Sequence, residues 1–189
     1  MSISAVILAG GKSSRMGKDK ALLPFGDYST LSEYQYRKLE PLFENVYLSA
    51  KEDKFPFKAN IIYDIYEEYN PLNALISAFK QIDCDAIFLT SVDMPLLEVE
   101  SISSLIDAYK YKRGLYRSFS LVGNFGVEPT ATIYTRELLN EAESMYKECD
   151  YKLKNIILSK NSYKINAKNR ELFNINRKEE YKKALKIVK

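Results

Sequence analysis

Short apolar runs alternate with amphipathic stretches along the first half of the chain. Ser4–Leu8 (SAVIL) is a run stopped by glycine, the pattern of a buried strand. Thr30-Leu-Ser-Glu33 has the form of a capping box and predicts a helix that Pro41 ends. Asn45–Ser49 (NVYLS) and Ile61–Tyr63 predict two further strands. Leu72, Leu75, Ile76, Phe79 and Ile82 then recur at helical spacing on one face. Ala86–Leu89 (AIFL) predicts a fourth strand running into Thr90-Ser-Val-Asp93, and Ile102, Leu105, Ile106 and Tyr109 mark the next helix.

The second half is less regular. Ser120–Val122 and Ala131–Tyr134 read as strands, and Arg136–Tyr146 as a helix with Leu139, Ala142 and Tyr146 on one face. Leu153, Ile156 and Ile157 suggest another helix, and Leu172–Ile175 a short strand. Asn176, followed by Glu179, predicts the cap of a last helix over Arg177–Ile187, whose many lysines form its solvated face. Strands alternating with helices predict a mainly parallel sheet covered on both faces, a Rossmann-like three-layer α/β/α architecture. No repeat or low-complexity linker interrupts it.

Composition narrows the chemistry. The 189 residues suit one compact domain, and 46% hydrophobic residues are enough for a packed core. The net charge of +3 is the difference between 28 basic and 25 acidic residues, too balanced for a general nucleic-acid or membrane footprint, so an anion site must be local. Without histidine there is no His base, no Ser-His-Asp triad and no imidazole metal ligand. Metal ligands should then be carboxylates, which favour a hard cation such as Mg²⁺. Cys84 and Cys149 lack CxxC spacing and read as idle thiols. No segment has the length and apolarity of a bilayer span and no signal-peptide pattern opens the chain, so a cytoplasmic location is expected. The 15 tyrosines are scattered and read as filler of core and surface rather than a stacking platform.

In an open parallel sheet, ligands sit beyond the carboxyl ends of the strands. Gly10 and Gly11 follow the first predicted strand, Asp64 the third and Asp93 the fourth. Glycines there admit a ligand close to the backbone and allow positive φ, and their N–H groups can face phosphate oxygens. Lys12, Arg15, Lys18 and Lys20 follow. Arg15 and Lys20 are the cations expected on a polyphosphate, with Lys12, Lys18 and Asp19 as loop solvation. The stretch is neither a Walker A loop nor a GxGxxG fingerprint. Asp93 also admits a plainer reading, as the cap of a helix begun near Pro95, and Asp64 one as a strand-end turn residue.

The stretch LAGGKSSRMGKDKALLP at 8–24 resembles the signature of the molybdenum cofactor guanylyltransferases, the MobA family of nucleotidyltransferases. VYLSAKED at 46–53, IIYDIYEEYNPLNAL at 61–75, FLTSVDMPLL at 88–97, EPTATIYT at 128–135 and FNINRKEEYKKA at 173–184 resemble its later motifs, over nearly the whole chain. The resemblance implies a nucleotide-diphospho-sugar transferase-like fold and one nucleotidyltransferase domain over 1–189, with 1–110 as the regular nucleotide-binding half and 111–189 as the pterin-side half. It implies attack by the phosphate of molybdopterin, or its molybdenum-loaded form, on the α-phosphorus of GTP. A phosphate monoester is already anionic near neutral pH, so the missing histidines are no obstacle.

By the same resemblance Leu8, Ala9, Gly10 and Gly11 would meet the nucleotide through the backbone and Lys20 its phosphates. Ser49 and Asp64 would line the nucleotide site, Asp93 would hold Mg²⁺, and Asn174 and Asn176 would face the pterin. Catalysis would fall to Arg15, Lys20 and Asp93. Implied protein partners are molybdoenzymes or other proteins of molybdenum cofactor biosynthesis, with no nucleic acid and no membrane. The chain departs from the family's Gly-Pro-Leu-x-Gly with Asn70-Pro-Leu-Asn-Ala74. Asn70 can still adopt positive φ, and Ala74 adds a methyl where backbone and base approach. Two other readings stand beside this one: a related transferase using CTP or a sugar-phosphate-type acceptor, and a nucleotide-binding partner protein without catalysis.

Overall fold

The computed structural model describes residues 2–10, 19–168 and 170–188. Its seven strands form one sheet: β1 (Ile3–Leu8), β2 (Asn45–Ala50), β3 (Asn60–Tyr63), β4 (Ala86–Ser91), β5 (Ser118–Gly123), β6 (Gly126–Thr135) and β7 (Ser162–Asn166). Their order is β3-β2-β1-β4-β6-β5-β7. Pairing is parallel except where β6 lies against β4 and β5, so β6 runs against the other six. The chain leaves β1 toward β2 on one side and returns to β4 on the other. That reversal opens a crevice beyond the carboxyl ends of β1 and β4. β4 pairs directly with β6, so the sheet runs unbroken through both halves of the sequence.

Among the described residues the chain forms six α-helices: α1 (Leu31–Leu39), α2 (Pro71–Gln81), α3 (Val99–Lys112), α4 (Leu139–Lys147), α5 (Leu153–Ser159) and α6 (Lys178–Val188). Alternation along β1 divides the core. Ala5 and Ile7 pack with Tyr36 and Leu39 of α1 and with Ile102, Leu105 and Tyr109 of α3. Val6 faces the opposite layer, built on Leu72, Leu75, Ile76 and Phe79 of α2 with Ala142, Ile156 and Ile157 of α4 and α5. A smaller cluster of Phe25, Leu31, Ile175 and Ala184 brings α6 against the segment that precedes α1. None of the helices described is long and apolar enough to cross a membrane.

The local signals act as their chemistry dictates. Thr30 caps α1 by accepting from Glu33 N–H at 3.0 Å, and Glu33 reaches back to Ser29, one residue earlier than the usual reciprocal partner. The helix ends before Pro41. Four expectations are corrected. Leu172–Ile175 forms no strand, and β7 at Ser162–Asn166 is the edge strand instead. The helix expected over Arg136–Tyr146 opens with a 3₁₀ turn, Arg136–Leu138, before α4. The last helix begins at Lys178, and Asn176 does not cap it; Asn176 N–H and Arg177 N–H both donate to Glu180 Oε2. Asp19 is no idle loop charge: it caps the 3₁₀ turn Lys20–Leu22 and pairs with Lys54.

Candidate nucleotide site

Two groups of residues meet at the carboxyl edge of the sheet, and Leu8 stands between them, level with Ser49 of β2 on one side and Ser91 of β4 on the other. On the β4 side the strand runs into a turn that carries Asp93. Lys20 Nζ lies 3.0 Å from Asp93 Oδ2 and also donates to Ile175 O at 2.9 Å and Asn176 Oδ1 at 3.1 Å. Both charged side chains retain some exposure, 16% and 21%. Ile175 N–H donates in turn to Asp93 O at 2.8 Å. Groups 73 and 155 positions away from Lys20 in sequence therefore converge on its ammonium. Asp93 is not a helix cap, since α3 begins only at Val99. From β6, Thr130 Oγ1 reaches Met94 Sδ at 3.2 Å, which sets the Glu128-Pro129-Thr130 stretch beside the same turn.

On the other side lies a cavity of about 290 Å³ lined by Leu8, Gly10, Ser49, Asp64, Tyr69, Asn70, Pro71 and Ala74. Ser49 Oγ donates to Asp64 Oδ1 at 2.7 Å. Burial pushes the Asp64 carboxyl above its ordinary range, against the Ser49 hydrogen bond and the charge of Lys51, which hold it down. A Cβ on Gly10 would meet Ala50 Cα at 3.5 Å and Asp64 Oδ2 at 4.0 Å, ordinary contacts that the fold itself would tolerate. The missing side chain leaves the wall open to a ligand. Gly10 does not adopt positive φ, so its conformational freedom is not what is used.

The expected residues are thus distributed unevenly. Lys20, Asp93 and Asn176 gather at one point; Leu8, Gly10, Ser49 and Asp64 gather at the other. Ala9 is buried, its N–H donates to Ser49 O at 3.0 Å, and Leu8 O accepts from Val92 N–H, so those two groups also hold the strand ends in place. Asn174 is half-buried in the segment before Ile175. Gly11 and Arg15 lie outside the described residues.

Asn70 does not use the positive φ open to it: at φ −146° its Oδ1 accepts from Asn73 N–H at 2.8 Å and caps α2. Ala74 does stand on the cavity wall, buried in the first turns of that helix. The scattered tyrosines conceal one cavity residue. Tyr69 is half-exposed at the lining, with Lys51 Nζ 4.1 Å from its ring centroid. Its signal in the sequence is proximity to Asn70-Pro71, at a loop-to-helix junction after a strand.

The donor set also bears on a metal. Among the described residues there is no cluster of three His, Cys, Asp or Glu side chains that would cage an ion. Asp93 offers a single carboxylate beside a cation. One carboxylate completed by phosphate oxygens and water is the arrangement Mg²⁺ favours, so the residues fit that ion together with a nucleotide.

Comparison with known proteins identifies the family. Residues 5–163 match the MobA-like NTP transferase domain. Molybdenum cofactor guanylyltransferase of Helicobacter pylori strain G27 is 33% identical over 201 residues, spanning 99% of this chain and 94% of the relative. The enzyme of that name from Campylobacter jejuni subsp. doylei is 44% identical over 95 residues, about half of each chain. In three dimensions, the molybdopterin-guanine dinucleotide biosynthesis protein A of Archaeoglobus fulgidus superposes with a TM-score of 0.81 at 17% identity, covering 97% of both chains. 2-C-methyl-D-erythritol 4-phosphate cytidylyltransferase of Thermus thermophilus does so at 0.74 and 14% identity, covering 100% and 99%. At those identities the structural likeness shows the shared nucleotide-diphospho-sugar transferase-like fold. The match over most of the chain and the full-length relative together show that this protein belongs to the family of MobA-like NTP transferases.

Proposed function

We propose that this chain transfers GMP from GTP to the phosphate of molybdopterin or molybdenum-molybdopterin, forming molybdopterin guanine dinucleotide and pyrophosphate. The observation that carries the proposal is the ion pair of Lys20 and Asp93 beside the cavity that holds Asp64. The acceptor's phosphate oxygen forms a bond to the α-phosphorus while the α–β bridging oxygen leaves with its electron pair on pyrophosphate. Such a displacement requires positioning and charge neutralisation more than proton transfer, which suits a chain without histidine.

In this reading Lys20 turns from Asp93 to the phosphates, and Arg15 assists it. Asp93 is the ligand for Mg²⁺, which when bound neutralises the phosphate oxygens. Asp64, oriented by Ser49, accepts from the donor edge of guanine. Asn174 and Asn176 face the acceptor. The substrates are GTP and the pterin phosphate, and the product passes to molybdoenzymes or other proteins of the same biosynthesis in the cytoplasm.

The test is to supply GTP, CTP or ATP with Mg²⁺ and molybdopterin and to follow pyrophosphate release. Release with GTP alone, lost in Asp93→Ala, is the expected result. Preference for CTP overturns the guanine assignment, and tight GTP binding without pyrophosphate release overturns catalysis.

A further inference from the structure

The loop between β3 and α2 carries Asp64 at its start and Tyr69 and Asn70 at its end, so its placement sets where those groups stand around the cavity. Its backbone is held by α2. Ile65 N–H donates to Ser77 Oγ at 2.9 Å and Tyr66 N–H to Asn73 Oδ1 at 3.3 Å, while Tyr66 O and Glu68 O accept from Asn73 Nδ2, both at 2.9 Å. Lys51, just past β2, donates to Glu67 O. Two of its side chains are held by a different element. Tyr146, in the last turn of α4, stacks on Tyr66 with ring centroids 4.0 Å apart and planes 17° from parallel. Its hydroxyl donates to Glu68 Oε2, 78 positions away in sequence. Tyr151 packs against Tyr146 in turn, with centroids 5.0 Å apart. Tyrosines scattered in the sequence thus meet in one row, and the row ends on the loop.

This row adds little to the core. Tyr66, Tyr146 and Tyr151 are only partly buried, at the margin of the layer formed by α2, α4 and α5. Glu68 is exposed, so its bond to Tyr146 competes with water and contributes little to stability. The loop backbone would keep its bonds to Asn73, Ser77 and Lys51 without the tyrosine. What Tyr146 supplies is direction: the stacked ring fixes the plane of Tyr66, and the hydroxyl fixes Glu68 immediately before Tyr69. We infer that Tyr146 is a positioning residue for nucleotide binding: from α4 it holds the loop so that Asp64 and Tyr69 keep their places at the cavity. Tyr146 does not line that cavity and acts only through the loop. The inference deepens the guanylyl-transfer reading and rests on it for the identity of the nucleotide.

The test uses the full chain and measures GTP affinity by calorimetry together with the kinetics of pyrophosphate release from GTP, Mg²⁺ and molybdopterin. The variants are Tyr146→Ala, Tyr146→Phe, Glu68→Ala and the last two combined, and melting curves verify that each is folded at the assay temperature. Tyr146→Ala should raise Kd and KM for GTP about tenfold, with kcat and the KM for molybdopterin within about twofold of the wild type. Tyr146→Phe keeps the ring and should lose only about threefold in GTP affinity. Glu68→Ala should match it, and the combination should add nothing, because both changes remove the same bond. Unchanged GTP affinity in Tyr146→Ala, or losses in kcat and in both KM values that follow the melting points, overturns the positioning role. A wild type that binds GTP without releasing pyrophosphate overturns the transfer reading alone, since the affinity series still decides Tyr146.

Discussion

Ile175 joins Lys20 to Asp93 through both of its backbone groups: its carbonyl accepts from Lys20 Nζ at 2.9 Å and its N–H donates to Asp93 O at 2.8 Å. The two charged side chains close the ring at 3.0 Å. A residue near the C-terminus thereby fixes the spacing of a cation and a carboxylate that come from the first and fourth strand ends. In the proposed function substrate phosphates and a cation would compete for the same two groups, so binding would exchange one ion pair for two.

Lys20→Met and Asp93→Asn should each lower the rate of pyrophosphate release by about 10² to 10³, the scale of losing one group that stabilises charge in a transition state. The double variant should fall little below the worse single one, because the two act as a unit. Partly exposed ion pairs contribute only about 0 to 1 kcal/mol to stability, so all three variants should remain folded. Additive losses would show that the two act independently, and a melting point that collapses with either variant would show that the pair is structural.

Asp64→Asn separates stability from binding. Burial raises the folded-state pKa of Asp64 above its unfolded value. Its contribution is then most favourable at low pH and is lost as pH rises through the folded value, so near neutrality the ionised carboxylate weighs against folding. The asparagine can still accept from Ser49 and carries no charge to desolvate. Its melting temperature at pH 7 should equal or exceed that of the wild type, while GTP affinity drops about tenfold or more with loss of a charge-assisted acceptor. Wild-type GTP binding should itself decline on acidification at a higher pH than an ordinary carboxylate would give. Calorimetry between about pH 4.5 and 7 checks both.

How much of this is legible in the sequence depends on how local its cause is. Ser4–Leu8, Asn45–Ser49 and Ala86–Leu89 read as largely apolar runs because both faces of those strands are covered, and they fall within two residues of β1, β2 and β4. β7 escapes because Ser162–Asn166 is an edge strand with alternating exposure and a lysine at its centre, a pattern shared with loops. Asn176 carries a strong capping signal, yet its side chain is drawn to Lys20 and Glu180 takes over the cap. Asp64 and Asp93 are legible from position alone, at strand ends in a parallel sheet. The cap made by Asn70 is not, because positive φ and capping are both common for asparagine and only the backbone decides.

Glu171 does for α3 what its own N-cap does not. Glu98 makes no side-chain cap bond, and instead Glu171, 1% exposed, accepts from Glu98 N–H, from Ser101 Oγ at 2.9 Å and from Lys168 N–H at 2.7 Å. Leu172 follows at once, so close to Gly123 that a Cβ there would lie 2.8 Å from its Cδ1. These contacts anchor the segment that delivers Ile175 and Asn176 to Lys20. Glu171→Ala strands three donors and should destabilise the fold by about 2 to 3 kcal/mol. Glu171→Gln retains an acceptor and should fall between it and the wild type. Urea midpoints give the order, and equal midpoints for all three would show that the carboxylate anchors nothing.

Lys38 offers a last measurement, through pH. Its Nζ donates to Pro95 O at 3.0 Å and Leu97 O at 3.1 Å, in the turn just after Asp93, and no carboxylate pairs with it among the described ion pairs. Burial lowers its pKa from 10.5 to about 7. In the window between those values the unfolded chain holds a proton that the folded one has released. Stability therefore rises with pH across that window and levels off below about pH 7, where both states are charged. Tyr34, whose pKa burial raises, acts in the opposite direction only above about pH 10. Urea midpoints at about pH 6.5, 8 and 9.5 should climb in the wild type and climb less in Lys38→Met, which has no proton to lose at this position. Parallel slopes in the two proteins would assign the pH dependence to other groups and leave Lys38 charged in the fold.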